Sequence, residues 1–390
     1  MQEYAIKEYS PAEEIPELVE KAYEAMEAIF REGYYPKLVV GRSWSKYNPI
    51  IAGEFAKPSV YRWYLTREMK KLLEMGASIK VKPSRERMSL SDTTLLDAVD
   101  EEEWDFTQKK LFLFKAERID LSLDRLEHYT GTAAEDFQRY ILFTNYDMHV
   151  EVFKHKYPDC VKPVREGVQM PAYHHKLDNN LGITLVNIGV GPSNAKTITD
   201  HIAVLRPDAM IMVGHCGGLR NHQEIGDFVL ASGYMRNDGV MNDLVPFNVP
   251  IIPNYLLNIF LKTVLDDFKL NYRLGTVYTT ANRNWEFAKK MTVAQIHVSR
   301  SIAIDMESAT VATNGFRYRI PSATLLCVSD KPLHGMPKLT NAAQSFYQNS
   351  KEKHLEVVIR AIEMSKQQNP AGLPNASIRS IDEPLMGGAE

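Results

Sequence analysis

Apolar residues first settle into a helical rhythm in SPAEEIPELVEKAYEAMEAIFREG, residues 10–33. Ile15, Leu18, Ala22, Met26 and Ile29 fall on one face. Ser10 and Glu13 have the spacing of a capping box, Pro11 suits the first helical position, and Gly33 suits the stop. A second amphipathic helix is predicted over VYRWYLTREMKKLLEMG (60–76), and ASIKVKPS (77–84) alternates like a strand. The acidic stretch SLSDTTLLDAVDEEEWDF (89–106) is weakly patterned and reads as surface loop with some helix. Together these predict a mixed α/β or α+β module over residues 1–126.

From Tyr129 onward the period switches back and forth. RYILFTNY is a short buried strand and DMHVEVFKHKYP a helix; MPAYHHKLDNNLGITLVNIGVG is two strands around an Asp-Asn-Asn-Leu-Gly turn. PSNAKTITDHIAVLRP reads as a helix closed by proline, and DAMIMVGHCGG as a buried strand ending in glycines. GDFVLASGYM, RLGTVYTT and ATLLCVSD are strands, NYLLNIFLKTVLDDFKL and KEKHLEVVIRAIEM helices, and AIDMES a strand running into a helix. Such alternation predicts a three-layer α/β domain over residues 127–368 with a mixed, largely parallel central sheet. The tail, 369–390, is rich in Pro, Gly, Ser and Asn and is expected to be loose.

Composition narrows the picture. The 390 residues exceed one small core and suit two domains or one large domain with an elaborate extension, and 44% hydrophobic with 24% charged residues is ordinary for a soluble globular chain. A formal net charge of -3 gives no reason to expect a nucleic-acid or membrane surface. The charged opening MQEYAIKEYS is unlike a signal peptide, and no apolar run is long enough to span a bilayer. Cys160, Cys216 and Cys327 form neither a zinc pattern nor a disulfide framework, so a reducing cytoplasm is expected.

Ligands of α/β sheets collect where strands end. Four ends stand out: IGVGPSNA (188–195), VGHCGGLR (213–220), IDMESA (304–309) and VSDKPLHG (328–335). Gly189 and Gly191 suggest a dinucleotide loop. Against this, the third small residue is displaced, Pro192 follows the second glycine, and Asp208 sits in a helix-ending turn. In VGHCGGLR, Gly214, Gly217 and Gly218 would let backbone N–H groups approach an anion or ribose. His215 and Cys216 lack partners at ligand spacing, so no metal or cofactor is expected, and His174 and His175 read as surface residues beside a turn. Glu307 and Ser308 read at first as helix caps, and Asp330 as a loop cap. Two carboxylates at two strand ends also suit glycosidic cleavage: one keeps its proton as general acid, and the other opposes positive charge.

The order GVGPSNA, GHCGGL, DMESA, VSD resembles the nucleoside phosphorylase and nucleosidase superfamily. The longer strings GVGPSNAKTITDHIAVLRPD, TTANRNWE, AIDMESAT, LLCVSDKPLHG and HYTGTAAEDFQRYILFTNY are similar to the bacterial AMP nucleosidase family, as is PSVYRWYLTREM in the N-terminal module. The resemblance implies a nucleoside-phosphorylase-like fold and hydrolysis of AMP to adenine and ribose 5-phosphate. It puts Met306 under the ribose, Glu307 on the ribose hydroxyls, Asp330 on N7 of the purine with Ser329 beside it, and Asn284 and Trp285 at the base. Asp305 would tie down the loop.

Two departures from the phosphorylase pattern matter. Met212 stands where those enzymes carry an arginine, and His215 where they carry a hydroxyl residue, so water is the expected attacker; Asp147 is its candidate activator. Arg220, Arg283, Lys331 and Arg62 are candidates for the 5′-phosphate, each equally readable as a solvated surface charge. A homo-oligomer, a hexamer by resemblance, and ATP and phosphate as effectors are further implications. A purine nucleoside phosphorylase, a non-catalytic nucleotide sensor and an NAD-type oxidoreductase are the alternatives.

Overall fold

The computed structural model describes residues 4–6, 14–45, 49–87, 114–336 and 340–373. The chain divides into two compact units between Arg125 and Leu126. In the first, β1 (Tyr4–Ile6) is followed by α1 (Ile15–Arg31), which buries Ile15, Val19, Ala22, Met26 and Ile29 along one stripe. Pro16 lies in its first turn, and Gly33 follows its end at φ +87°, a conformation that costs glycine nothing. The expected capping box at Ser10–Glu13 lies outside the described residues. β2 (Tyr34–Gly41), β3 (Ile50–Glu54), α2 (Arg62–Glu74) and β4 (Ser78–Arg87) complete the unit. Its sheet is antiparallel throughout, in the order β1-β4-β2-β3, with both helices against β4. The loop expected over residues 89–106 is outside the described residues.

The division falls within α3 (Ala116–Thr130). There follow β5 (Tyr140–Thr144), α4 (Asp147–Lys156), β6 (Ala172–His175), β7 (Ile183–Asn187), α5 (Pro192–Ile202) and β8 (Ala209–Gly218). Next come β9 (Phe228–Asn237), α6 (Tyr255–Asp267), β10 (Tyr272–Thr280), α7 (Lys289–Ser299) and β11 (Ala303–Asp305). α8 (Ser308–Tyr318), β12 (Ser322–Asp330) and α9 (Thr340–Gln368) end the unit. The eight strands order as β11-β10-β9-β12-β8-β5-β7-β6. Parallel pairings join β8 to β5 and β12, β5 to β7, and β10 to β9 and β11; β12–β9, β7–β6 and β11–β8 are antiparallel. The mixed sheet is therefore the one the sequence pattern predicts.

Strand alternation sorts the two helix layers. Leu142, Leu185, Ile211, Val213 and Leu325 share one core with Phe153 of α4, Leu261 of α6 and Val358 of α9. Burying each such side chain contributes about 1.5–3 kcal/mol. α5 and α8 pack against each other, and α8 also contacts β8, β9, β10 and β12. One expectation fails here. His174 is fully buried, its ring nitrogens bonded to Thr184 Oγ1 at 2.9 Å and Thr132 Oγ1 at 2.8 Å, because β6 turns this position inward. Among the described residues no helix is long and apolar enough to cross a membrane, and all three cysteines are buried and free.

Candidate active site

Two strands meet on the glycine-rich end of β8. β11 runs antiparallel to it, with Ile304 opposite Gly217 and Ala303 opposite Gly218. On the other side β12 runs parallel, and after a bulge Asp330 lies opposite Gly217. A Cβ at Gly217 would sit 3.0 Å from Ile304 Cγ2 and 3.4 Å from Pro332; one at Gly218 would sit 2.9 Å from Val328 Cγ1. Both glycines lie within the strand, and their bareness lets neighbouring side chains close in. Gly214 is also inside β8, against Met212, so the buried strand expected over DAMIMVGHCGG runs through all three glycines.

The pairing brings Glu307, two residues past β11, and Asp330, at the tip of β12, onto the wall of one cleft of about 360 Å³. Met306, Ser329, His215, Gly217, Trp285 and Asn284 line it too. Trp285 is buried against Leu219, Tyr278 and Ile304, which fixes its ring, whereas Asn284 is exposed.

Glu307 occupies the N-cap position of α8, but its side chain makes no capping bond. Its carboxylate accepts instead from the Gly191 backbone N–H at 2.7 Å and from Asn145 Nδ2 at 3.3 Å. Gly191, at φ +111°, can turn its N–H this way because it lacks a Cβ. Capping falls to Asp305, which accepts from Ser308 N at 2.9 Å, from Ser308 Oγ, and from Thr279 Oγ1 at 2.6 Å. The helix-cap reading of Glu307 thus belongs to Asp305. Burial, and then the neighbouring Asp305 carboxylate, hold Glu307 above the usual carboxylate range. Burial also raises Asp305, opposed by its hydrogen bonds to Ser308 and Thr279. Asp330 Oδ1 accepts from Ser329 Oγ at 2.6 Å, and Ser329 Oγ also lies 3.3 Å from the Cys216 carbonyl.

Asp147 is exposed at the start of α4, accepts from Asn187 Nδ2 at 2.8 Å and is not part of the cleft wall. Lys331 is buried with Nζ on the Asn221 carbonyl at 3.0 Å, and neither it nor Arg220 lines the cleft. Gly189, at φ +66°, shapes the loop before α5, whose Val190 reaches the wall. Arg62 belongs to the first unit, ion-paired with Glu20 at 2.6 Å and stacked over Tyr23. Arg283 is the one arginine or lysine of the cleft wall among the described residues. Sequence reasoning missed Asn145 and Tyr146, the first residues after β5, where a strand-end signal was present. It also missed the partners of His215: His149 and His354 bring their ring nitrogens to it, the donor atoms all lying within 4.8 Å of one another.

Residues 140–363 match the family model of the phosphorylase superfamily. The chain is 38% identical to the AMP nucleosidase of Escherichia coli strain K12, over 90% of this chain and 88% of that one. The crystal structure of AMP nucleosidase from Bacteroides thetaiotaomicron is similar at a TM-score of 0.55 and 31% identity, covering 64% of this chain and 99% of that one. A uridine phosphorylase from Vibrio fischeri, 14% identical with a TM-score of 0.52 over 58% of this chain and 92% of its own, shares the fold. The chain belongs to the AMP nucleosidase family, within the phosphorylase superfamily.

Proposed function

We propose that the chain hydrolyses the N-glycosidic bond of AMP, giving adenine and ribose 5-phosphate, with Asp330 and Glu307 in separate roles. The observation that carries this is the convergence of the two carboxylates on one cleft from strand ends either side of Gly217, next to a fixed Trp285. Asp330 donates a proton or hydrogen bond to N7 of the purine, so the base leaves as a neutral group. Ionised Glu307 accepts from the 2′- and 3′-hydroxyls and opposes the positive charge of an oxocarbenium-like state. Trp285 and Asn284 meet the base, and Met306 underlies the sugar. Such a cation is electrophilic enough that the attacking water needs positioning more than deprotonation, so the reading does not require Asp147.

Arg283, exposed at the cleft, supports a 5′-phosphate contact. Residues 127–368 act as the catalytic domain and 1–126 as the family's additional domain. Phe287, just before α7, and Met291 and Val298 on it leave apolar side chains exposed, which supports burial in a homo-oligomer, read as a hexamer. ATP and phosphate are the effectors this reading expects. Incubation with AMP in phosphate-free buffer tests it: adenine and ribose 5-phosphate are expected. Incorporation of isotopically labelled phosphate into a ribose 1-phosphate product would make the protein a phosphorylase instead.

A further inference from the structure

Alternation along β8 puts His215 on the same face as Ile211 and Val213, toward α4 and α9. From those helices come His149 and His354, both fully buried. The His149 and His215 rings are nearly parallel, with centroids 5.5 Å apart, and His354 stands edge-on to both at 5.0 and 5.8 Å. The candidate donor nitrogens of the three rings lie within 4.8 Å of one another.

Each helix histidine is oriented through its outer nitrogen. His354 Nε2 lies 2.8 Å from the Leu325 carbonyl. A carbonyl can only accept, so Nε2 carries the hydrogen and the neutral ring keeps a bare lone pair on Nδ1. His149 Nδ1 lies 2.7 Å from Thr144 Oγ1, which leaves Nε2 facing the cluster. His149 Nε2 and His354 Nδ1 are buried without a hydrogen-bond partner. Leaving such atoms unsatisfied costs about 1–3 kcal/mol each. His354 Nδ1 therefore offers a lone pair, and His149 Nε2 does so in the tautomer whose Nδ1–H donates to Thr144 Oγ1.

We propose that His149, His215 and His354 bind one divalent d-block cation of the zinc class. Three imidazole nitrogens without carboxylate or carbonyl oxygens suit zinc and its neighbours and do not suit magnesium or calcium. Tetrahedral zinc with bonds of about 2.0–2.1 Å sets nitrogens roughly 3.3 Å apart, so the site tightens by small ring rotations. Thr144 and Leu325 supply the orienting partners that metal-binding histidines need. His215 lies on the cleft wall beside Tyr146, 4.4 Å between ring centroids, so the cleft is the side on which the cluster comes nearest to solvent. The proposal is independent of the reaction assigned to the cleft.

The test uses the full chain without an affinity tag, stripped with dipicolinate and titrated with zinc against a chromophoric chelator. One zinc per chain is expected, with a raised melting temperature and, on cobalt substitution, visible bands of a low-coordinate site. Thr144→Val should weaken binding by roughly 10–100-fold, as loss of an orienting partner does, and His354→Gln or His149→Gln by more. Absence of tight zinc in the wild type, or equal zinc affinity and cobalt spectra in wild type, Thr144→Val and His149→Gln, would leave the cluster as core histidines only. The wild-type cobalt spectrum and Thr144→Val decide the matter even where a histidine variant fails to fold.

Discussion

Glu307→Gln separates holding a sugar from holding the fold. Glutamine keeps the size of the side chain, and its carbonyl can accept from the Gly191 N–H as the carboxylate does. Its NH2 then meets Asn145, whose Oδ1 is buried and without a partner and becomes the acceptor once that amide flips. The local hydrogen bonds therefore survive. Stability should move in the variant's favour. The folded-state pKa of Glu307 is raised, so its contribution is fully present below the ordinary carboxylate pKa and is lost as pH rises through the folded value. Each pH unit in that window costs the wild type about 1.4 kcal/mol relative to glutamine. The two proteins should melt together in acid, and the variant later in mild alkali. Kinetics should move the other way. A charge-assisted bond is worth about 1.5–3 kcal/mol. With two ribose hydroxyls losing a charged acceptor but one keeping a neutral one, kcat/KM should fall by roughly 10²–10³-fold, or about 3–4 kcal/mol. Wild-type kcat/KM should rise with pH through the Glu307 titration, and that limb should vanish in the variant. The assays are melting curves and initial rates for AMP over one pH series. A variant that melts lower at every pH yet turns over normally per folded molecule would refute the sugar-holding role.

Asp330→Asn should leave KM for AMP close to wild type while kcat falls by roughly 10²–10⁴-fold, since an amide cannot supply the proton; wild-type turnover in the folded variant would remove Asp330 from the chemistry. Arg283→Ala should lower kcat/KM for AMP toward that for adenosine, about 10–100-fold for one charge-assisted contact, and leave adenosine unchanged. Equal losses on both substrates would separate Arg283 from the phosphate. Gly217→Ala forces a Cβ to 3.0 Å from Ile304 and 3.4 Å from Pro332, so a loss of about 1–3 kcal/mol of stability is expected together with lower turnover. Unchanged melting and rates would show that the close contact of β8 with both neighbours is dispensable.

The strands of the second unit were legible because β5, β8 and β12 are buried almost end to end, which leaves near-continuous apolar runs in the sequence. α7 was not legible: Ile296 is buried while Met291 and Val298 are exposed, so it has no apolar stripe to announce it. β2 and β3 bury alternate positions, but Val39, Ile50 and Ala52 put apolar residues on the less buried face, so the alternation does not show in the sequence. The site divides along a similar line. Glu307, Asp330 and Trp285 were visible as chemistry-bearing residues at strand ends, because that chemistry is local. What each does depends on contacts made far along the chain. Asp305 and Glu307 are equally acidic and two residues apart, yet only Asp305 meets the Ser308 N–H, while Gly191 and Asn145 hold Glu307 toward the cleft. Past β5, Asn145 reaches Glu307 while Asp147 accepts from Asn187, a difference two neighbouring polar residues do not announce in the sequence. His215 seemed alone because its neighbours come from α4 and α9, which the parallel order of the sheet stacks over one face of β8. In each case the residue type limits the chemistry, and the strand order decides which of two similar side chains is free to perform it.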